Sequence, residues 1–156
     1  MHDGKEAILI IAASERDANL YYATRFIAPD PFIFTEIDGR KILVMSELEV
    51  DRARSEATVD EVIPVSKIVK KLKVRGATKI STAEIVRFIF EERGVKKVLV
   101  PFDFPIVYAD ALRAYGYSIR AKREPFYEKR MIKTSAEIKA IEESLKCTER
   151  AIGKAG

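Results

Sequence analysis

The stretch Phe32-Ile33-Phe34-Thr35-Glu36-Ile37-Asp38-Gly39-Arg40-Lys41-Ile42-Leu43-Val44-Met45 has two apolar runs on either side of an Asp-Gly dipeptide. Apolar runs rich in Ile, Val and Phe favour β-strands. Asp-Gly is the dipeptide best suited to the positive φ angles of a two-residue hairpin turn. The stretch therefore predicts strands over residues 32–37 and 41–45 that pair as a tight hairpin.

Outside the hairpin, predicted strands alternate with predicted helices. The apolar run at Glu6–Ala12 is typical of a buried strand, and residues 96–100 are predicted to form a second one. Ser81 and Glu84 form a capping box that starts a helix, and Gly94 ends it. Asp103 is a candidate N-cap for a later helix. Further strands are predicted over 59–65 and 117–121, further helices over 48–57 and 108–115, and a basic amphipathic turn or helix over 66–73. The fold class is therefore α/β, a mixed sheet covered by helices.

The C-terminal part of the chain differs in composition from the rest. Residues 120–133 turn basic and contain Pro125, which marks a candidate boundary. Thr134 and Glu137 then form a second capping box, which predicts a helix that ends near Gly153. A solitary amphipathic helix requires something to pack against. We therefore expect a domain over residues 1–125, followed by a linker and one further helix over 126–156.

Composition excludes several kinds of chemistry. The chain has 156 residues, of which 47% are hydrophobic, and contains one His and one Cys. His2 and Cys147 cannot supply a Ser/His/Asp triad, a His-containing metal site or an internal disulfide. We therefore assign no catalytic and no metal-binding residue. The longest apolar run, Ala7–Ala13, is too short to cross a membrane, and the expected location is the cytoplasm.

The charged residues nearly balance, with 28 basic against 24 acidic side chains and a net charge of +4. One basic run without an intervening acid could contact phosphate groups; it consists of Lys67, Lys70, Lys71, Lys73, Arg75 and Lys79. The acidic segment 47–61 offsets this run. The balance favours a solvated helix face over a nucleic-acid partner, so nucleic-acid binding is the least favoured alternative.

An aromatic segment follows the first predicted strand. Tyr21, Tyr22 and Phe26 could form a stacking platform for a ligand, or they could fill the core. Arg25 lies among them, and a charge there must reach water or a partner such as a carboxylate. The residues alone leave both interpretations open.

Two motifs resemble the non-catalytic N-terminal domain of the creatinase/prolidase/aminopeptidase P family. The family motif Asn-x-x-Tyr-x-Thr-Gly-Phe is matched by Asn19, Tyr22, Thr24 and Phe26, with Arg25 where glycine is usual. The family's interdomain stretch is matched by Arg130, Ile132, Lys133, Thr134, Glu137, Ile138 and Ile141. The two motifs occur in the family's order and enclose most of the chain.

This resemblance implies a three-layer, ribonuclease-H-like mixed sheet flanked by helices, over residues 1–125. Residues 126–156 would be the linker and the first helix of a "pita-bread" catalytic domain that lies downstream. That domain would bind two divalent metal ions (Mn, Co or Zn) and cleave proline-containing peptides, as in prolidases and Xaa-Pro aminopeptidases. The chain itself would then be no enzyme, and its parent would be one.

The N-terminal domain of the family gates access to substrate and supports a homodimer. By this resemblance we expect Tyr22, Arg25 and Phe26 to reach the substrate. A pairing of Arg25 with a substrate carboxylate is not carried over from the motif, because glycine is usual there. There are two alternatives for the function of the chain. The first is a creatinase-like, non-enzymatic interaction module, and the second, less favoured, is a basic nucleic-acid-binding domain.

Overall fold

The structure is a computed structural model that describes residues 4–124 and 126–127. The chain divides into two units, Met1–Phe126 and Tyr127–Gly156, and nearly all described residues belong to the first. The predicted helix after Thr134 lies outside the described residues. The boundary near residue 125 stays a prediction.

Eleven elements follow one another in the described residues. They are β1 (Lys5–Ala12), α1 (Ala18–Thr24), β2 (Phe32–Ile37), β3 (Arg40–Met45), α2 (Glu47–Glu56), β4 (Glu61–Pro64), α3 (Val65–Val74), α4 (Thr82–Arg93), β5 (Val95–Pro101), α5 (Ile106–Ala114) and β6 (Ser118–Lys122). Each predicted strand and helix of this region is present, with ends shifted by a few residues. Helix α1 was not predicted.

The strands form one six-stranded sheet in the order β4-β3-β2-β1-β5-β6. Strand β2 is antiparallel to both of its neighbours, while β1–β5, β5–β6 and β3–β4 are parallel pairs. The predicted hairpin is β2–β3, with φ angles of 52° at Asp38 and 78° at Gly39. Positive φ at both central residues matches the twist of paired strands, and this prediction is confirmed.

Helices cover both faces of the sheet. Leu9 and Ile11 of β1 belong to a buried cluster with side chains of α3, α4 and α5. Ile10 is also buried but points to the opposite face, because side chains alternate along a strand. Buried residues outside that cluster come from α1 and α2, among them Leu20 and Val50. The predicted α/β class, a mixed sheet flanked by helices, is confirmed.

Helix ends follow local sequence in one case and not in another. The Ser81 hydroxyl accepts the Glu84 N–H at 3.2 Å, and Gly94 ends α4 with a φ of 69°. The N-cap prediction for Asp103 is wrong, because α5 starts after Pro105 without a side-chain cap. Proline suits the start of this helix because its φ is already fixed near the helical value. Among the described residues, no helix has the length and apolar character needed to cross a membrane.

Candidate functional site

Helix α1 places the matched motif at the carboxyl end of β1. Asp17 starts the helix, and its carboxylate accepts the Leu20 N–H at 2.9 Å. Leu20 and Ala23 are buried against the sheet, whereas Tyr21 is 38% exposed. The helix is only seven residues long, so contacts with the rest of the fold must hold it, because such short helices are marginal by themselves.

Local and long-range hydrogen bonds fix the last turn of α1. The Thr24 hydroxyl donates to the Leu20 carbonyl at 2.9 Å and accepts the Phe26 N–H at 3.2 Å. Thr58 donates its N–H to the Thr24 carbonyl at 2.7 Å. Lys41 Nζ donates to the Ala23 carbonyl at 2.9 Å. The bonds from Lys41 and Thr58 satisfy two carbonyls that a helix end otherwise leaves unpaired.

Arg25 ends α1 in a left-handed conformation, with φ 54° and ψ 29°. Its N–H donates to the Tyr21 carbonyl at 2.7 Å, which closes the helix as a glycine commonly does. In the family motif that this segment resembles, glycine is usual at the position of Arg25. For an L-residue this conformation costs roughly 1–2 kcal/mol, and such strain persists where the surroundings fix the backbone.

The Arg25 side chain lies on the surface beside two tyrosines. Its guanidinium carbon is 5.3 Å from the centre of the Tyr22 ring and 5.8 Å from that of Tyr21. Arg25 is exposed and takes no part in the ion pairs found among the described residues. An exposed guanidinium without an ion-pair partner can donate two parallel hydrogen bonds to a carboxylate.

Phe26 has a different environment. It is 1% exposed and packs edge-on against Phe32 at 6.2 Å between ring centres. The guanidinium carbon of Arg52 covers it at 4.3 Å from the ring centre. Glu49 and Glu56 hold that guanidinium at 2.6 and 3.3 Å. A ligand would therefore reach Phe26 only if the Arg52 side chain moved.

The structure thus brings Tyr22 and Arg25 together at the surface and places Phe26 beneath Arg52. Sequence reasoning missed Arg52, because nothing local connects α2 with the end of α1. Tyr21 could have been included, since it precedes Tyr22 in the same aromatic segment. Of the two roles that the sequence left open for the three aromatics, a place in the core applies to Phe26, the one buried member of the three.

Polar residues at the start of α1 connect it to the end of β6. Asn19 is 4% exposed and donates from Nδ2 to a Glu124 carboxylate oxygen at 2.8 Å. Burial raises the pKa of Asp17 above its ordinary value of 3.8, and the nearby Asp103 and Glu124 raise it further. The residues described contain no group of His, Cys, Asp and Glu placed to hold a metal ion.

Comparison with known proteins supports one fold. No family model matches the sequence, and no curated protein matches it at a significant level. Prolidase from Pyrococcus furiosus matches with a TM-score of 0.64 and 16% identity, over 94% of this chain and 37% of its own. X-Pro aminopeptidase from Thermotoga maritima has a TM-score of 0.64 and 15% identity, with coverages of 96% and 40%.

A third match, aminopeptidase P from Streptococcus thermophilus, has a TM-score of 0.53 and 18% identity, over 74% of this chain and 77% of that structure. This chain therefore has the fold found in prolidase and X-Pro aminopeptidase structures, as the sequence motifs predicted. It spans only 37% and 40% of the length of the two longer proteins.

Proposed function

We propose that this chain is the non-catalytic N-terminal domain of a proline-specific metallopeptidase of the prolidase or Xaa-Pro aminopeptidase type. The match of its fold over 94% of its length to a prolidase carries this proposal. The chain corresponds to little more than a third of that protein. A downstream catalytic domain would therefore supply the chemistry and bind the two divalent metal ions, whether Mn, Co or Zn.

Within this proposal, the domain limits access to the active site and supports a cytoplasmic homodimer. Proline's amide has no N–H, so an enzyme selects such substrates by shape and by contacts at their ends. Arg25 and Tyr22 form the surface that would meet a substrate end. The exposed Arg25 guanidinium would pair with a peptide carboxylate, and Phe26 beneath Arg52 would support this surface from the core.

The test is to sequence the reading frame that encodes this chain beyond the codon for Gly156, and to express and purify its full-length product. We expect it to continue through two Asp, one His and two Glu in order, and the purified product to hydrolyse Ala-Pro in the presence of Mn²⁺. Pro-Ala is the control dipeptide, because its bond does not precede proline. Removal of residues 1–126 should extend cleavage to longer peptides if the domain gates access.

A matched pair of variants tests the site. Arg25→Ala in the full-length enzyme should raise KM for Ala-Pro about tenfold or more, the effect of losing one charge-assisted contact. The KM for Ala-Pro amide, which lacks the carboxylate, should not change. Arg113→Ala, an exposed arginine on α5, should leave both values unchanged. A stop codon directly after the Gly156 codon, or no Xaa-Pro hydrolysis, would contradict the proposal and favour an interaction module.

A further inference from the structure

Six cations lie on α3 and the loop that follows it. We call this group the cationic surface; its members are Lys67, Lys70, Lys71, Lys73, Arg75 and Lys79, and all are exposed. Nothing in the proposed function uses them. They extend over thirteen consecutive residues that contain no acid.

The packing of α3 orients these side chains outward. Ile68 is 2% exposed, and Val65, Val69 and Leu72 pack on the same core. Helical periodicity places Lys67, Lys70, Lys71 and Val74 on the opposite side, since residues three and four apart share a face. Val74 is 89% exposed, which confirms that this face meets solvent. The helix therefore presents a rigid row of positive charge about 10 Å long.

None of the six cations takes part in an ion pair within the described residues. Within the acidic segment 47–61, Glu47 accepts a hydrogen bond from Ser66 at the start of α3, whereas other carboxylates of the segment pair with arginines outside α3. Glu49 and Glu56 pair with Arg52, and Glu61 pairs with Arg40 and Arg93. Among the described residues, therefore, no ion pair offsets the positive charge on α3, although the net charge of the chain is small.

Acidic and aromatic groups define the limits of the surface. Glu84 and Glu91 line the neighbouring groove between α3 and α4, and Arg87 pairs with Glu91 at 2.8 Å. Lys71 and Arg75 lie over the Phe88 ring at 5.8 and 4.8 Å from its centre. Phe88 is 4% exposed, so it offers no open face on which a nucleobase could stack.

We propose that the cationic surface binds the sugar–phosphate backbone of nucleic acid without reading its bases. Five of its six cations are lysines, which act as point charges toward phosphate. Protein–protein interfaces are instead depleted in lysine and depend on aromatic anchors. Within residues 67–79, Val74 is the only large apolar side chain that is exposed. Contacts confined to phosphates give binding that is independent of sequence and strongly dependent on salt.

The test is fluorescence anisotropy of a labelled duplex DNA of about 20 base pairs with the full chain. If four cations contact phosphates, the affinity should fall about 150-fold between 50 and 200 mM salt, a log–log slope near −3.6. The triple variant K67Q/K70Q/K71Q should reduce the magnitude of that slope to about 1. A second duplex of unrelated sequence should bind equally well, within a factor of about three.

A matched control removes the same charge elsewhere. The variant K96Q/R113Q/R120Q changes three exposed cations on β5, α5 and β6, and its slope should stay near that of the unchanged chain. Circular dichroism shows whether both variants remain folded. Absence of binding at 50 mM salt, or an equal loss in the control, would overturn the proposal. Tighter binding of poly-glutamate than of DNA would also overturn it and assign the surface to an acidic protein.

Discussion

Arg25 has a left-handed backbone conformation, with φ at 54°. Glycine adopts this conformation without steric cost, because it has no β-carbon. Arg25→Gly and Arg25→Ala both remove the contacts with Tyr21 and Tyr22, but only alanine keeps the steric cost of about 1–2 kcal/mol. Glycine also gives the unfolded chain more conformational entropy, which lowers the stability of Arg25→Gly by roughly 0.5–1 kcal/mol and offsets part of this gain. We therefore expect Arg25→Gly to unfold in urea with a free energy about 0.5–1 kcal/mol higher than Arg25→Ala. Equal stability of the two variants would show that the surroundings do not impose this conformation.

Asp17 makes stability depend on pH through its burial. Because its pKa is raised above 3.8 in the folded state, the folded chain holds this proton more tightly than the unfolded chain. Its contribution to stability is therefore complete below pH 3.8 and is lost as the pH rises through the folded-state pKa. Asp17→Asn keeps an acceptor for the Leu20 N–H and cannot ionise.

We therefore expect the stability of Asp17→Asn relative to the unchanged chain to increase between about pH 3 and pH 7, measured by urea unfolding. Asp17→Ala serves as the control, because it removes the cap and should be about 1 kcal/mol less stable than Asp17→Asn at each pH. A difference between Asn and Asp that does not change with pH would contradict the proposed effect of burial.

At the scale of the element, the β2–β3 hairpin depends on Gly39. No atom lies within 4 Å of a β-carbon built at Gly39, yet its φ is 78°. Gly39→Ala should therefore destabilise the chain through backbone strain alone, by about 1–2 kcal/mol in urea unfolding. Gly39→Asn should cost less, because asparagine tolerates this conformation. A larger loss with Asn than with Ala would indicate a contact instead of strain.

The sequence predicts an element correctly when the residues that stabilise it are adjacent in the chain, and misses it when they are distant. The hairpin turn is encoded by two adjacent residues, Asp38 and Gly39, and so was predicted correctly. Helix α1 depends on Lys41 and Thr58, whose bonds to its last carbonyls come from distant parts of the chain. The family motif makes Tyr22, Arg25 and Phe26 candidate site residues, which stays a prediction, but only the fold shows that Arg52 covers Phe26.

At the scale of the whole molecule, strand order determines which loops meet. Parallel pairing of β1 with β5 and of β5 with β6 puts their carboxyl ends on one edge of the sheet. Asp17, Asp103 and Glu124 follow these three strands, and their proximity contributes to the raised pKa of Asp17. Periodicity could not predict this proximity, because these residues lie far apart in sequence.

The same strand order predicts how stability is distributed through the sheet. Strand β1 lies between β2 and β5, and its Leu9 and Ile10 are at most 1% exposed. Strand β6 is an edge strand in which no residue is buried. Because amides in buried central strands exchange only on extensive unfolding, we expect β1 and β2 to exchange at least about tenfold more slowly than β6. Native-state hydrogen exchange on the full chain measures this order directly. Equal protection of β6 and β1 would contradict it, because within the described residues β6 pairs on one side alone, with β5.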